Sequence, residues 1–188
     1  MVEDTKAEGE APEPEKQKAE DNPWYLLATL YGVPDRGYQA LQDKNRIAWN
    51  RYYAGILDEI TRKKLVTENR HTGEELTPFS GEELEQILNV FEARCGVKGK
   101  KPPEARESTD FSNVKFESSF DFSRFLFNQL VSFHRATFAA SVTFESATFL
   151  GQSNFARAIF SSGADFASAM FMEWAFFYWA TFSHTGDL

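Results

Sequence analysis

The chain has 188 residues, 42 % of them apolar, and a net charge of −8. This length builds one medium domain or two small ones, and the acidic balance excludes a nucleic-acid partner, which needs a concentrated basic surface to release counterions. The charge is uneven: residues 1–22 hold eight acidic and three basic side chains, residues 23–107 are neutral overall, and residues 108–188 hold seven acidic against four basic.

The N-terminus is charged and lacks the apolar run of about 7 to 15 residues that export requires. The longest apolar candidate, "WYLLATLYGV", is half of the roughly 20 residues needed to span a membrane. The one cysteine, Cys95, excludes an internal disulfide and fits a reducing compartment. A soluble, cytoplasmic protein with no membrane partner is expected.

Residues 1–22 contain no aromatic side chain and too little apolar surface to offset the entropy of ordering, so a disordered acidic tail is expected there. Residues 23–96 read as a helical N-terminal domain. Asn22 followed by Pro23 predicts a helix start through "WYLLATLY" that stops near Gly32. Leu41, Ala48, Trp49, Tyr52, Ile56 and Ile60 share one face of a second helix at 3.6-residue spacing. In "FSGEELEQILNVFEARCG" Ser80 and Glu83 stand at capping-box spacing, Phe79 and Leu84 at hydrophobic-staple spacing, and Gly96 follows the end. The apolar stripe of this third helix is Leu84, Ile87, Leu88, Phe91 and Cys95. Residues 97–107, with two prolines and many charges, form a polar linker.

From residue 108 the phenylalanines keep count. Phe111, Phe116, Phe122, Phe127, Phe133, Phe138, Phe144, Phe149, Phe155, Phe160, Phe166, Phe171, Phe177 and Phe182, closed by Leu188, alternate gaps of five and six, a repeat of eleven residues. An 11-residue period can drive a right-handed coiled coil. A gap of five, however, turns an α-helix by about 140°, which splits the rings into two stripes, and Ser, Thr, Phe and Gly are poor helix formers. The helical reading is rejected. Residues such as Val114, Ala136, Ala147, Ala158 and Ala164 stand two positions before a Phe and would face the same way on a strand. Each unit is then a short strand with a small and a large inward residue, followed by a polar turn.

Units such as "ATFAA", "ATFLG" and "ADFAS" resemble the A-[D/N]-[L/F]-x-x motif of pentapeptide-repeat proteins. The resemblance covers residues 109–188 and implies a right-handed, four-sided β-helix (solenoid), so that the whole chain is α+β with a small helical N-terminal cap. The sixth residue in every second unit departs from the family's strict five and leaves the corner geometry open. Alternating gaps require an even number of sides. Four sides give a coil of 22 residues with ladders such as Phe116, Phe138, Phe160 and Phe182, rings about 4.8 Å apart; a flatter two-sided coil of eleven residues also satisfies parity. Bulky Val114, Phe120, Phe125 and Val131 at the second inward position of the first coil suit an end plugged by the helical domain.

Chemistry is hard to find. His71, His134 and His184 are far apart and lack ligand partners at metal-site spacing, Cys95 sits on a helix stripe without an acid or His nearby, and no phosphate-binding glycine loop occurs. No catalytic residue, metal or cofactor is expected. Some proteins of the resembled family mimic DNA and bind type II topoisomerases; the outward column Asp121, Thr143, Asp165 and Asp187 offers a partial acidic stripe for that alternative. The segment "MFMEWAFFYWATF" says more. Met170, Met172, Trp174, Phe176, Tyr178 and Trp179 fall at outward or corner positions, and such clusters are typical of protein interfaces. A binding or scaffold protein is expected, with a protein partner or a second copy (a homodimer through the C-terminal coil end). "NPWYLLATLYG" and "KNRIAWNRY" also resemble leaders of bacterial repeat proteins, which implies a bacterial origin.

Overall fold

The computed structural model of the chain describes residues 15–34 and 39–183; most of the expected tail therefore lies outside the described residues. Its last part does not. Gln17–Lys18 form strand β1, Ala19–Asp21 make a 3-10 turn, and Ala19 is buried. This corrects the expectation for residues 17–22, and the reason is non-local: β1 pairs in parallel with Val114–Phe116, far along the chain.

Helix α1, Pro23–Ala28, starts where the sequence places it, with Asn22 Oδ1 accepting from the amides of Trp24 and Tyr25. Helix α2, Gln39–Ala54, buries Ala48, Trp49 and Tyr53. Ile60 does not continue that face. The Asp58 carboxylate accepts from Thr61 N and opens a separate helix α3, Glu59–Thr67, on which Ile60 is 80 % exposed. Helix α4, Gly81–Cys95, has the expected capping box between Ser80 and Glu83 and ends on Gly96 in the left-handed region, φ 66°. Of its stripe Ile87 and Phe91 are buried, whereas Leu84 is exposed.

From Thr109 the chain winds through four parallel sheets. The first face stacks Thr109–Asp110, Val131–Ser132, Ser153–Asn154 and Ala175–Phe176. The second stacks β1, Val114–Phe116, Thr137–Phe138, Ile159–Phe160 and Thr181–Phe182. The third contains Phe120–Asp121, Val142–Thr143 and Ala164–Asp165; the fourth Leu126–Phe127, Thr148–Phe149 and Met170–Phe171. Thr109 pairs with Val131 and Phe120 with Val142, so each coil closes only after four strands and the two-sided alternative falls.

The interior is four ladders of stacked rings. Phe133 and Phe155 lie 5.0 Å apart, Phe122 and Phe144 5.0 Å, and Phe127 and Phe149 4.8 Å, with ring planes only 6°, 5° and 9° from parallel. Rings of neighbouring ladders meet edge to face, as Phe133 and Phe144 do at 79°, the arrangement that the aromatic quadrupole favours.

The alternation of five and six resolves into two kinds of corner. In each five-residue gap the carbonyl of the Phe accepts from the amide three residues on, as in Phe133 to Ala136 and Phe155 to Ala158. The third residue of each such turn is left-handed: Asn113, Arg124, Arg135, Ser146, Arg157, Ser168 and Trp179, eleven apart, with φ between 55° and 59°. The side chain preceding the Phe then locks the corner. Asp110, Asp121, Asn154 and Asp165 accept from the amide two residues on, and Ser132 and Thr143 do so with their hydroxyls. The six-residue gaps lack this turn and spend their extra residue on a wider corner.

The helices close the first coil. An open strand edge leaves backbone donors and acceptors without partners, and each face answers differently. Asn22 donates to Asp110 O on the first face, β1 pairs with the second, and the Gln42 amide donates to Asp121 O on the third. On the fourth, Trp49 Nε1 donates to Leu126 O at 2.8 Å, and Asn50 accepts from Leu126 N and donates to Arg124 O. Behind these bonds Trp49 packs on Phe125 and Phe127, and Tyr25 on Phe116 and Phe120. The bulky first-coil residues thus form the expected plug.

The helical part also runs down the fourth face. His71 Nε2 lies 3.0 Å from Thr148 Oγ1, and Arg70 donates to Ser168 O. Outward-facing Leu126 and Thr148 are consequently buried. Glu75 is buried at this junction, 2.9 Å from Arg46 and 3.4 Å from Arg124, and accepts from Thr72 N. Burial pushes its carboxyl upward, yet the His71 ring 3.8 Å away, the bond from Thr72 N and the two guanidinium groups outweigh it and bring the pKa down to about 2.

Candidate protein interface

Outward residues of a solenoid coil vary freely, because only the inward ones fill the core. On the first face and its corner, however, they also build the turn. The last described level breaks that rule. Where Asp110, Ser132 and Asn154 stand on the levels before, this level has Phe176; where Asn113, Arg135 and Arg157 take the left-handed position, it has Trp179. Phe176 cannot accept the corner amide, and Trp179 puts an indole at the left-handed position, φ 55°, that polar side chains take on the other levels. The pattern gives up local stability here.

What it places instead is a strip of rings. Trp174 lies 6.1 Å from Phe176, Phe176 5.9 Å from Tyr178, and Tyr178 6.5 Å from Trp179. The Arg157 guanidinium packs 5.1 Å above Trp179. Trp174 and Trp179 are 74 % and 77 % exposed. The two methionines named with them lie apart: Met170 is on the fourth face, half-buried against the core, and Met172 is exposed at the corner before Trp174. Phe182, which the ladder count assigns to the interior, is 57 % exposed because no ring stacks beyond it among the described residues. Arg157 belongs to the strip as well, and only the register between successive coils reveals that.

The other candidates serve the fold. Asp121 and Asp165 of the acidic stripe hold corner amides, at 2.7 and 2.8 Å, and Asp187 lies outside the described residues. His71 is buried at the helix junction, and His184 lies outside the described residues. Among the described residues no group of three His, Cys, Asp or Glu side chains is placed to hold a metal ion, and no helix is long and apolar enough to cross a membrane. Burial raises the Cys95 thiol pKa. A groove of about 560 Å³ between Val33, Pro34 and Gln42 and the third face is lined by no His or Cys.

Four parallel sheets around ladders of rings, with a helical plug at one end, define a β-solenoid of the repeat class. Residues 122–170 match the family model described as pentapeptide repeats (9 copies), and that segment is a run of pentapeptide repeats. The match ends at Met170, before the level at which Trp174, Phe176 and Trp179 depart from the repeat. Neither the curated proteins nor the solved structures gave a match.

Proposed function

We propose that the chain is a non-catalytic binding scaffold that joins a second copy of itself through the aromatic strip at Trp174, Phe176, Tyr178 and Trp179. The observation that carries this is the double departure at positions 176 and 179, where a polar corner acceptor is replaced by a half-buried ring and a polar left-handed residue by an exposed one. A lost corner bond at Phe176 has no gain within the fold, and Trp and Tyr are the anchors of protein interfaces.

A second copy fits better than an unrelated partner because the two ends of the solenoid differ. The helices and β1 cover all four edges of the first coil, so the two ends present unlike surfaces to a second copy. The last level leaves Phe166, Phe171 and Phe177 only half-buried beside Phe182. Two such ends meeting about a two-fold axis cover the same patch on both copies and close the assembly as a dimer.

Light scattering over a concentration series tests this. The wild type is expected at twice the monomer mass and a Trp174→Ser/Trp179→Ser variant at the monomer mass. A wild type that stays monomeric at several hundred micromolar defeats the proposal.

A further inference from the structure

A second surface is defined by charge. The corner between the first and second faces carries Asn113, Arg135, Arg157 and Trp179 in one column, one side chain per coil. Beside it on the second face stand Lys18 and Lys115. Among the described residues of that face in the coils, the one acidic side chain is Glu117, which pairs with Lys115 at 2.7 Å. Arg135 and Arg157 have no carboxylate partner among the described residues, and Arg135 Nε is buried without a hydrogen bond. Two arginines one above the other, with Lys18 and Lys115 beside them, are the reverse of the average on a chain of net charge −8.

We propose that residues 1–14 of the same chain dock along this column, with their carboxylates over Arg135 and Arg157. The segment holds five acidic residues, Glu3, Asp4, Glu8, Glu10 and Glu13, against the single base Lys6. It leaves the described structure at the head of the column. Gln17 N donates to Asn113 O at 3.0 Å, and parallel pairing of Gln17 with Val114 sends the preceding residues back toward that corner. Lys16 already reaches down the second face beside it, its amine bonded to Thr137 Oγ1 two strands below β1.

Distance presents no obstacle. Three coil steps from Asn113 to Trp179 measure about 14 Å, and fourteen residues extend to roughly 45 Å. Surface pairs of this kind are weak and salt-screened. A tethered segment nevertheless meets its site at a local concentration on the order of millimolar, which an untethered acidic partner at micromolar concentration does not match. This inference does not rest on self-association, since the column is complete within one chain.

The test compares ¹⁵N amide spectra of the full chain with those of a chain beginning at Glu15, which keeps β1. Docking shifts the amides of Arg135, Thr137 and Arg157 and the Trp179 indole, and the difference vanishes in 1 M salt. It also vanishes in a full-length Arg135→Asn/Arg157→Asn variant, because asparagine tolerates the left-handed corner as it does at Asn113. Differences confined to residues 15–18 and their neighbours at 113–115 overturn the proposal. So does recovery of the shifts when unlabelled full-length chain is added to the labelled short one, which places the contact between molecules.

Discussion

Phe138 lies flat on Phe160, ring centroids 5.1 Å apart and planes 2° from parallel, although a full coil of chain separates them. That contact is the unit from which the solenoid is assembled, and it makes each ring's contribution depend on its level. Phe160 is fully buried between Phe138 and Phe182, whereas Phe182 has a ring on one side alone among the described residues. Phe160→Ser loses the burial of a ring and leaves a cavity with a hydroxyl in it, at a cost of about 3 to 5 kcal/mol. Phe182→Ser costs about 1 kcal/mol. Denaturant unfolding of both variants measures the contrast.

Asn50 acts as a piece of the missing strand. It accepts from Leu126 N and donates to Arg124 O, both at the upper edge of the fourth face. Asn50→Leu leaves both backbone groups buried and unpaired, at about 1 to 3 kcal/mol each. Hydrogen exchange provides the sharper readout: the Leu126 amide exchanges faster in the variant while amides near Phe155 keep their protection.

Gly151 and Gly163 both lie in six-residue corners but differ in what surrounds them. A Cβ on Gly151 would stand 2.7 Å from Gln129 C and 2.8 Å from its carbonyl oxygen, in the backbone of the neighbouring coil, while a Cβ on Gly163 meets nothing within 4 Å. Gly151→Ala is expected to lower stability by about 1 to 3 kcal/mol, and Gly163→Ala to stay within about 0.5 kcal/mol of wild type. Thermal melts of the two variants check this.

The buried Glu75 predicts an acid transition. Its folded pKa of about 2 lies below the ordinary 4.5, so its contribution is fully present above pH 4.5 and is lost as pH falls toward 2. Glu75→Gln removes that dependence: urea unfolding of the variant should vary less between pH 4.5 and pH 2 than that of the wild type, from a lower starting stability.

The ladders, the length of the coil and the capping box at Ser80 and Glu83 were legible in the sequence because each rests on spacing along the chain. What spacing cannot show is contact between distant segments. Gln17 and Lys18 look like tail until Val114 is beside them, and Thr148 is an outward strand residue until His71 covers it. Ile60 fits the α2 stripe by period, but the Asp58 cap restarts the helix first. The aromatic strip was visible as composition. That Phe176 and Trp179 occupy turn-building positions emerged only from the corner geometry, since a five-residue gap does not announce its left-handed residue.

The chain has four tryptophans, and the fold sorts them into two pairs. Trp24 and Trp49 are buried in the plug, and Trp174 and Trp179 are the exposed ends of the strip. Labelling all four with 5-fluorotryptophan and recording ¹⁹F spectra from about 10 to 500 µM therefore carries its own control. Self-association through the strip moves the two exposed resonances with concentration and leaves the two buried ones fixed; four resonances unchanged across the range would contradict it.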